Sequence, residues 1–257
     1  MDSKSPIGVF DSGLGGISVL SAIHTLLPGE NLIYFGDSQY NPYGTKTKEE
    51  ITQRCLAICD ELIRRGAKMI VVACNTATSA CVNQLRDTYD VDIIGMEPAL
   101  KVACDRPQPQ RVAVWATDFT LKEEKFAALM HRFDEKHEIH KVACPQLVRI
   151  VEEDDLDNDV RAQTAINAYL AQAPDVDSIV LGCTHFVFFK QKLAQRLQDS
   201  IELIDGNEGT ARHVKALLEQ RGLLNRGEAG TIAWMNTLPE KIGLSKRLFN
   251  RMEDSIE

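Results

Sequence analysis

The sequence holds no apolar run long enough to cross a bilayer, and Met1-Asp2-Ser3-Lys4-Ser5-Pro6 lacks the basic-then-apolar layout of a secretory signal. A cytoplasmic chain with no membrane partner is expected. No C-x-x-C pair is present, so closely spaced zinc ligands are missing and no metal site is expected. Seven cysteines without a signal argue against a disulfide framework and for a reducing compartment. Positive charge is short: 29 Lys and Arg stand against 37 Asp and Glu, and the net charge of −8 argues against a nucleic-acid partner. A local basic patch is left around Lys241, Lys246, Arg247 and Arg251. Low-complexity tracts are also absent. What is there is 257 residues, 44% hydrophobic and 26% charged, enough for one large or two ordinary domains.

The most informative stretch is Lys68 to Thr78. A short apolar run flanked by charge, Met69-Ile70-Val71-Val72-Ala73, reads as a strand buried on both faces and ends in Cys74-Asn75-Thr76. The pattern returns as Ser178-Ile179-Val180-Leu181-Gly182-Cys183-Thr184-His185. Open α/β sheets bind ligands at strand carboxyl ends, which is where both thiols fall. The other thiols, Cys55, Cys59, Cys81, Cys104 and Cys144, are assigned to packing.

The chain repeats its order of elements. Strands start near residues 7, 32 and 69, and again near 111, 139 and 178. Helices are expected from Ile17 to Leu27, after the capping box Thr47-x-x-Glu50, around 79–89, after a second box Thr120-x-x-Glu123, and near 160–172. The alternation predicts an α/β fold of two pseudo-symmetric, doubly wound lobes with mostly parallel sheets, the active site lying in the cleft between them. Arg106 to Gln110 reads as a linker. The lobes are expected at 1–97 plus 207–257 and at 98–206, because the segment after Glu208 has no third copy of the unit and is expected to pack on the N-terminal half. His131, His137 and His140 read as surface residues.

Between the first strand and its helix, Asp11-Ser12-Gly13-Leu14-Gly15-Gly16 suggests a nest of backbone N–H groups facing an anion. It lacks the G-x-G-x-x-G spacing of a dinucleotide site, so a carboxylate is the expected anion. Two matched thiols facing one ligand suit proton removal on one face of a carbon and proton return on the other, that is racemisation or epimerisation. Asp11, ending the adjacent strand, is placed to serve Cys74; His185 is placed to serve Cys183. Ser12, Asn75, Thr76, Thr117, Thr120 and Thr184 offer hydroxyl and amide groups at strand ends, joined by the backbone of Tyr43-Gly44. Plainer readings stand beside these: a helix cap for Asp11, a core position for His185, and a solvated acidic run for Glu152.

Phe10-Asp11-Ser12-Gly13-Leu14-Gly15-Gly16, Tyr34-x-Gly36-Asp37, Pro42-Tyr43-Gly44-x-Lys46, Ala73-Cys74-Asn75-Thr76-Ala77 and Leu181-Gly182-Cys183-Thr184-His185 resemble the signature blocks of the glutamate racemases, within the wider aspartate/glutamate racemase superfamily. The resemblance runs from about Ile7 to Ala211. It implies a cofactor-independent enzyme interconverting L- and D-glutamate for peptidoglycan synthesis, with Cys74 and Cys183 as the acid/base pair. It also implies assistance from Asp11, Glu152 and His185, substrate contacts from Ser12, Tyr43, Gly44, Asn75, Thr76, Thr117, Thr120 and Thr184, and a homodimer. Two stretches depart from the family pattern: Phe186-Val187-Phe188-Phe189 and Asp118-Phe119. Aspartate or hydantoin racemisation, a decarboxylation, or a non-catalytic carboxylate-binding module stay open as alternatives.

Overall fold

The computed structural model describes residues 2–198, 200–227 and 229–254; residues 1, 199, 228 and 255–257, which fall within the expected lobes, lie outside them. Nine strands among the described residues form two sheets, and every pairing is parallel. The first sheet contains β1 (Ile7–Asp11), β2 (Leu32–Gly36), β3 (Met69–Val72) and β4 (Asp92–Ile94). The second contains β5 (Arg111–Ala116), β6 (Glu138–Ala143), β7 (Ser178–Leu181) and β8 (Glu202–Ile204). A last strand, β9 (Ile232–Asn236), joins the first sheet beside β2.

The two sheets are wound alike. Taken from the same side, they run β4-β3-β1-β2-β9 and β8-β7-β5-β6. In each, the first strand is central, the second lies to one side, and the third and fourth lie to the other. The winding reverses between β1 and β3 and between β5 and β7. Ligands of open α/β sheets bind in the crevice at such a reversal. Asp11 and Cys74 stand at the first reversal, Thr117 and Cys183 at the second.

Local sequence explains the layers. Strands β1, β2, β3 and β7 are buried at every residue, as parallel strands covered by helices on both faces must be. Strand β6 is an edge and carries Glu138, His140 and Lys141 half in water, hence its weaker pattern. One apolar cluster runs through both sheets, from Ile7, Val9 and Leu14 to Trp115, Leu147 and Phe186. The lobes therefore rest on shared core, with Ser18 Oγ donating to the Thr184 carbonyl at 3.2 Å.

Several expectations change. The helix expected near 79 starts at Asn75, because the Cys74 sulfur accepts the Ala77 N–H at 3.5 Å and caps it directly at the strand end. The second capping box does not form: Thr117, not Thr120, caps the short helix Asp118–Lys122, and Glu123 caps the next one, Glu124–His131. The expected linker 106–110 follows a helix, Ala99–Cys104, already packed on β7 and β8; the chain passes between sheets at 95–98 instead. His137 is buried rather than on the surface, its Nδ1 accepting the Gln110 N–H at 3.1 Å. The basic patch is not free: Lys241, Arg247 and Arg251 face Glu152, Asp154 and Asp157. Phe186 and Phe189 fill the core within the 3-10 turn Thr184–Phe189. Phe119 packs against the apolar cluster that contains Phe10 and Cys74. Among the described residues, no helix is long and apolar enough to cross a membrane.

Lys68, the charge that precedes the β3 run, is buried with Glu30, Nζ to Oε2 2.6 Å. The same ammonium donates to the carbonyls of Ser3 and Leu223, and Glu30 Oε1 accepts the Asn225 N–H at 2.7 Å. The pair thus ties the N-terminal segment, β3 and the approach to β9. Breaking one half of a buried pair strands a charge and costs about 3–5 kcal/mol. Lys68→Met should lower the urea midpoint accordingly, and adding Glu30→Gln should recover part of the loss.

Candidate active site

Both cysteines sit at the carboxyl ends of matched strands and are buried, at 5% exposure for Cys74 and 7% for Cys183. Their surroundings differ. Cys74 Sγ lies 3.8 Å from Ser12 Oγ, and its thiol is held well above the ordinary range by burial and then by the Asp11 carboxylate; the Cys183 charge adds in the same direction. Cys183 Sγ lies 3.7 Å from His185 Nδ1, and His185 Nε2 lies 2.8 Å from Glu152 Oε1. Burial alone would lower the His185 pKa, but the bonds to Cys183 and Glu152 and the charges of Cys183 and Asp11 outweigh it and raise it well above the usual value.

The turn after β1 meets the neighbours of both thiols: its Ser12 lies beside Cys74, and its Gly15 lies against His185 and Thr184. Its amides do bind carboxylates, but the carboxylates are the protein's own. The Gly13 N–H goes to Asp11 Oδ2 at 2.8 Å and the Leu14 N–H to Glu152 Oε1 at 2.7 Å. A Cβ at Gly13 would stand 2.0 Å from Glu152 Oε1; one at Gly15 would stand 2.3 Å from His185 Nδ1. These residues are glycine because groups from the other lobe press onto the turn. Glu152 ends a helix unforeseen from the sequence, Pro145–Glu152, whose buried face of Leu147, Val148, Ile150 and Val151 fixes it. It is not a free acidic surface.

A second set of groups closes the far side. Thr76 Oγ1 is 3.0 Å from Thr117 Oγ1, and Thr120 Oγ1 is 3.0 Å from Thr117 Oγ1. A Cβ at Gly44 would meet the Thr117 Cβ at 3.0 Å, so this turn touches the second lobe. The Tyr43 side chain points elsewhere: its hydroxyl donates to Asp37 Oδ2 at 2.6 Å, and Arg54 holds the same carboxylate at 2.8 and 2.9 Å. Burial pushes the Tyr43 phenol up, so it stays a donor. Thr184 is buried beside Gly15. Two buried oxygens here, Asp11 Oδ1 and Asn75 Oδ1, have no hydrogen-bond partner among the described residues. Burial also raises the Asp11 pKa. A cavity of about 450 Å³, bordered by Asn41, Gly44, Thr117, Val148, Arg149 and Glu152, adjoins this set.

The structure adds residues that the sequence left without a role. Tyr34, fully buried, donates to the Gly13 carbonyl at 2.8 Å and braces the turn. Asn41 Nδ2 reaches Ser12 Oγ at 3.4 Å. Tyr34 and Asp37 lie in one of the signature blocks; Asn41 precedes another, and its amide gave no further signal. Among the described residues no group of three His, Cys, Asp or Glu side chains could hold a metal ion.

The family model described as Asp/Glu/Hydantoin racemase matches residues 7–214, which take in every strand except β9 and all of these groups. The chain belongs to that family. Within it, the chain is 50% identical to the glutamate racemase of Bifidobacterium animalis subsp. lactis, covering 98% of this chain and 100% of the relative. The crystal structure of glutamate racemase from Thermus thermophilus in complex with beta-chloro-D-alanine superposes with a TM-score of 0.82 at 37% identity, covering 96% of this chain and 94% of that one. The Francisella tularensis glutamate racemase in complex with D-glutamate gives a TM-score of 0.83 at 27% identity, covering 96% and 94%. The likeness is full-length.

The close approach at Gly15 is testable without any assay. Gly15→Ala should push His185 away from Cys183 and Glu152 while leaving the far-ultraviolet circular dichroism unchanged. The imidazole, followed by NMR titration, should then lose its proton at lower pH than in the unsubstituted protein.

Proposed function

We propose that the protein interconverts L- and D-glutamate by proton transfer at the α-carbon, using Cys74 and Cys183 as bases on opposite faces. The carrying observation is that these thiols stand at the same point of two identically wound sheets, with the turn after β1 holding Ser12 beside Cys74 and Gly15 against His185, the neighbour of Cys183. The full-length relatives named glutamate racemase favour glutamate over the other substrates of the family.

An α-proton is weakly acidic, so the thiolate that removes it needs help. Asp11, whose charge acts on the Cys74 thiol, is the group assigned to take its proton. His185, held protonated between Cys183 and Glu152, stabilises the negative charge that forms on the Cys183 sulfur. The unpartnered Asp11 Oδ1 and Asn75 Oδ1 are acceptors suited to an amino acid's ammonium group. Hydroxyls of Ser12, Thr76, Thr117, Thr120 and Thr184, with the Tyr43 and Gly44 amides, would hold the carboxylates. They would also spread the charge of the carbanion, preorganised in a site shielded from water. No cofactor enters this chemistry, because the two sulfurs, Asp11 and the substrate account for every proton moved.

The same reading divides the chain into lobes at 1–97 plus 207–257 and 98–206. Support comes from β9 lying beside β2 and from the crossing at 95–98. It makes the enzyme a cytoplasmic homodimer supplying D-glutamate for peptidoglycan.

Circular dichroism of L-glutamate and L-aspartate solutions tests the proposal. Loss of signal is expected with glutamate; turnover of aspartate alone overturns the substrate, since one methylene shifts pocket binding by only about 1–3 kcal/mol. Cys74→Ser and Cys183→Ser should each reduce racemisation by orders of magnitude. Undiminished turnover in either one rules out two thiol bases.

A further inference from the structure

The segment after β9 reaches the site from a flank that carries no signature block. Lys241, ending the 3-10 turn Pro239–Lys241, donates from Nζ to the main-chain carbonyl of Glu152 and stands 3.8 Å from Glu152 Oε2. The other carboxylate oxygen, Oε1, is the one bonded to the Leu14 N–H and to His185. The carboxylate is therefore held from two sides. Its own side chain is 12% exposed and that of Lys241 is 24% exposed, so water screens this contact less than it screens an ordinary surface pair.

We propose that Lys241 is a positioning residue for the reaction: it fixes Glu152 with Oε1 turned toward His185, which keeps the imidazole locked beside Cys183. The inference rests on the two-cysteine reading above. Its physical basis is the place of Glu152 as the last residue of a helix. A carboxylate there opposes the helix dipole, and the last carbonyls have no partner within the helix. An ammonium satisfies both at once, by bonding the carbonyl and by balancing the carboxylate. Without it, Glu152 gains by turning away from the helix end toward water, and His185 loses its second partner.

The ammonium is delivered by a rigid support. The helix Ile242–Asp254 packs on the helix Ile17–Leu26, where Glu253 accepts from Ser21 Oγ at 2.5 Å. On its other side Arg247 pairs with Asp154 at 2.5 Å and Arg251 with Asp157 at 2.9 Å. Those pairs join the same two segments without touching Glu152, and they provide a control.

The charged groups around His185 are Glu152, Cys183 and Asp11, so its titration reports their arrangement. Removing Lys241 has two opposed effects on it. Losing a nearby positive charge alone would make the imidazole hold its proton more tightly; releasing Glu152 makes it hold the proton less tightly. In the full-length enzyme, Lys241→Met should lower kcat about 10- to 100-fold, the scale of a small misplacement of a reacting group. KM should stay nearly constant, because Lys241 touches no substrate. The alkaline limb of the kcat profile should move to lower pH. Lys241→Arg should restore most of both, and Arg247→Met should leave both as they are.

An unchanged kcat and limb in Lys241→Met, a limb moving to higher pH, or the same loss in Arg247→Met each overturns the inference. Those results are independent of the cysteine variants: inactive Cys74→Ser and Cys183→Ser beside an unaffected Lys241→Met removes the positioning role alone, and active cysteine variants remove the two-base reading.

Discussion

One carboxylate oxygen joins the halves of this molecule chemically. Glu152 Oε1 accepts from the Leu14 amide of the first sheet's turn and from His185 beyond the second sheet's third strand. Both contacts require the turn to come close, which only residues without a side chain permit, hence Gly13 and Gly15. The turn is in turn braced from beneath by Tyr34. If this oxygen moved by an ångström, His185 would lose its hold beside Cys183.

Two equal scaffolds here carry unequal chemistry. The strands β3 and β7 occupy the same place in their sheets, yet one sulfur caps a helix beside a carboxylate and the other lies beside an imidazole. Burial and Asp11 favour a proton on Cys74, whereas the imidazole beside Cys183 is raised well above its ordinary range, against burial, by its bonds to Cys183 and Glu152. Duplicated topology places the sulfurs, and local neighbours differentiate them.

The repeat of strands and the strand-end thiols were legible because fully buried parallel strands write continuous Val-Ile runs. The pieces that stayed hidden are those whose pattern is set by partners distant in sequence. The helix Pro145–Glu152 begins at a proline and ends in an acidic run, so local pattern alone left a solvated charge open beside the assisting role that the resemblance implied for Glu152; Leu14 and His185 stand against it. Helix starts were misplaced where a cysteine sulfur or a threonine three residues upstream did the capping. The turn was read as facing a ligand's carboxylate, whereas its Gly13 and Leu14 amides bind Asp11 and Glu152; nothing local says whether such a carboxylate belongs to a ligand or to the chain. Lys68, Lys241 and His137 are ordinary polar letters whose burial or pairing comes from segments far along the chain.

The late strand β9 has a consequence for how the polypeptide matures. The second sheet can be completed once Ile204 has been made, from one continuous stretch, whereas β2 waits for residues 232–236 to cover its outer side. Until then a strand with every residue buried in the finished protein, Leu32-Ile33-Tyr34-Phe35-Gly36, presents unpaired amides and carbonyls along an apolar margin. A nascent or truncated chain ending before Thr231 would expose a template for pairing with its own copies. The final stretch, poor in signature residues, thus shields the β2 edge from strand-to-strand pairing between copies.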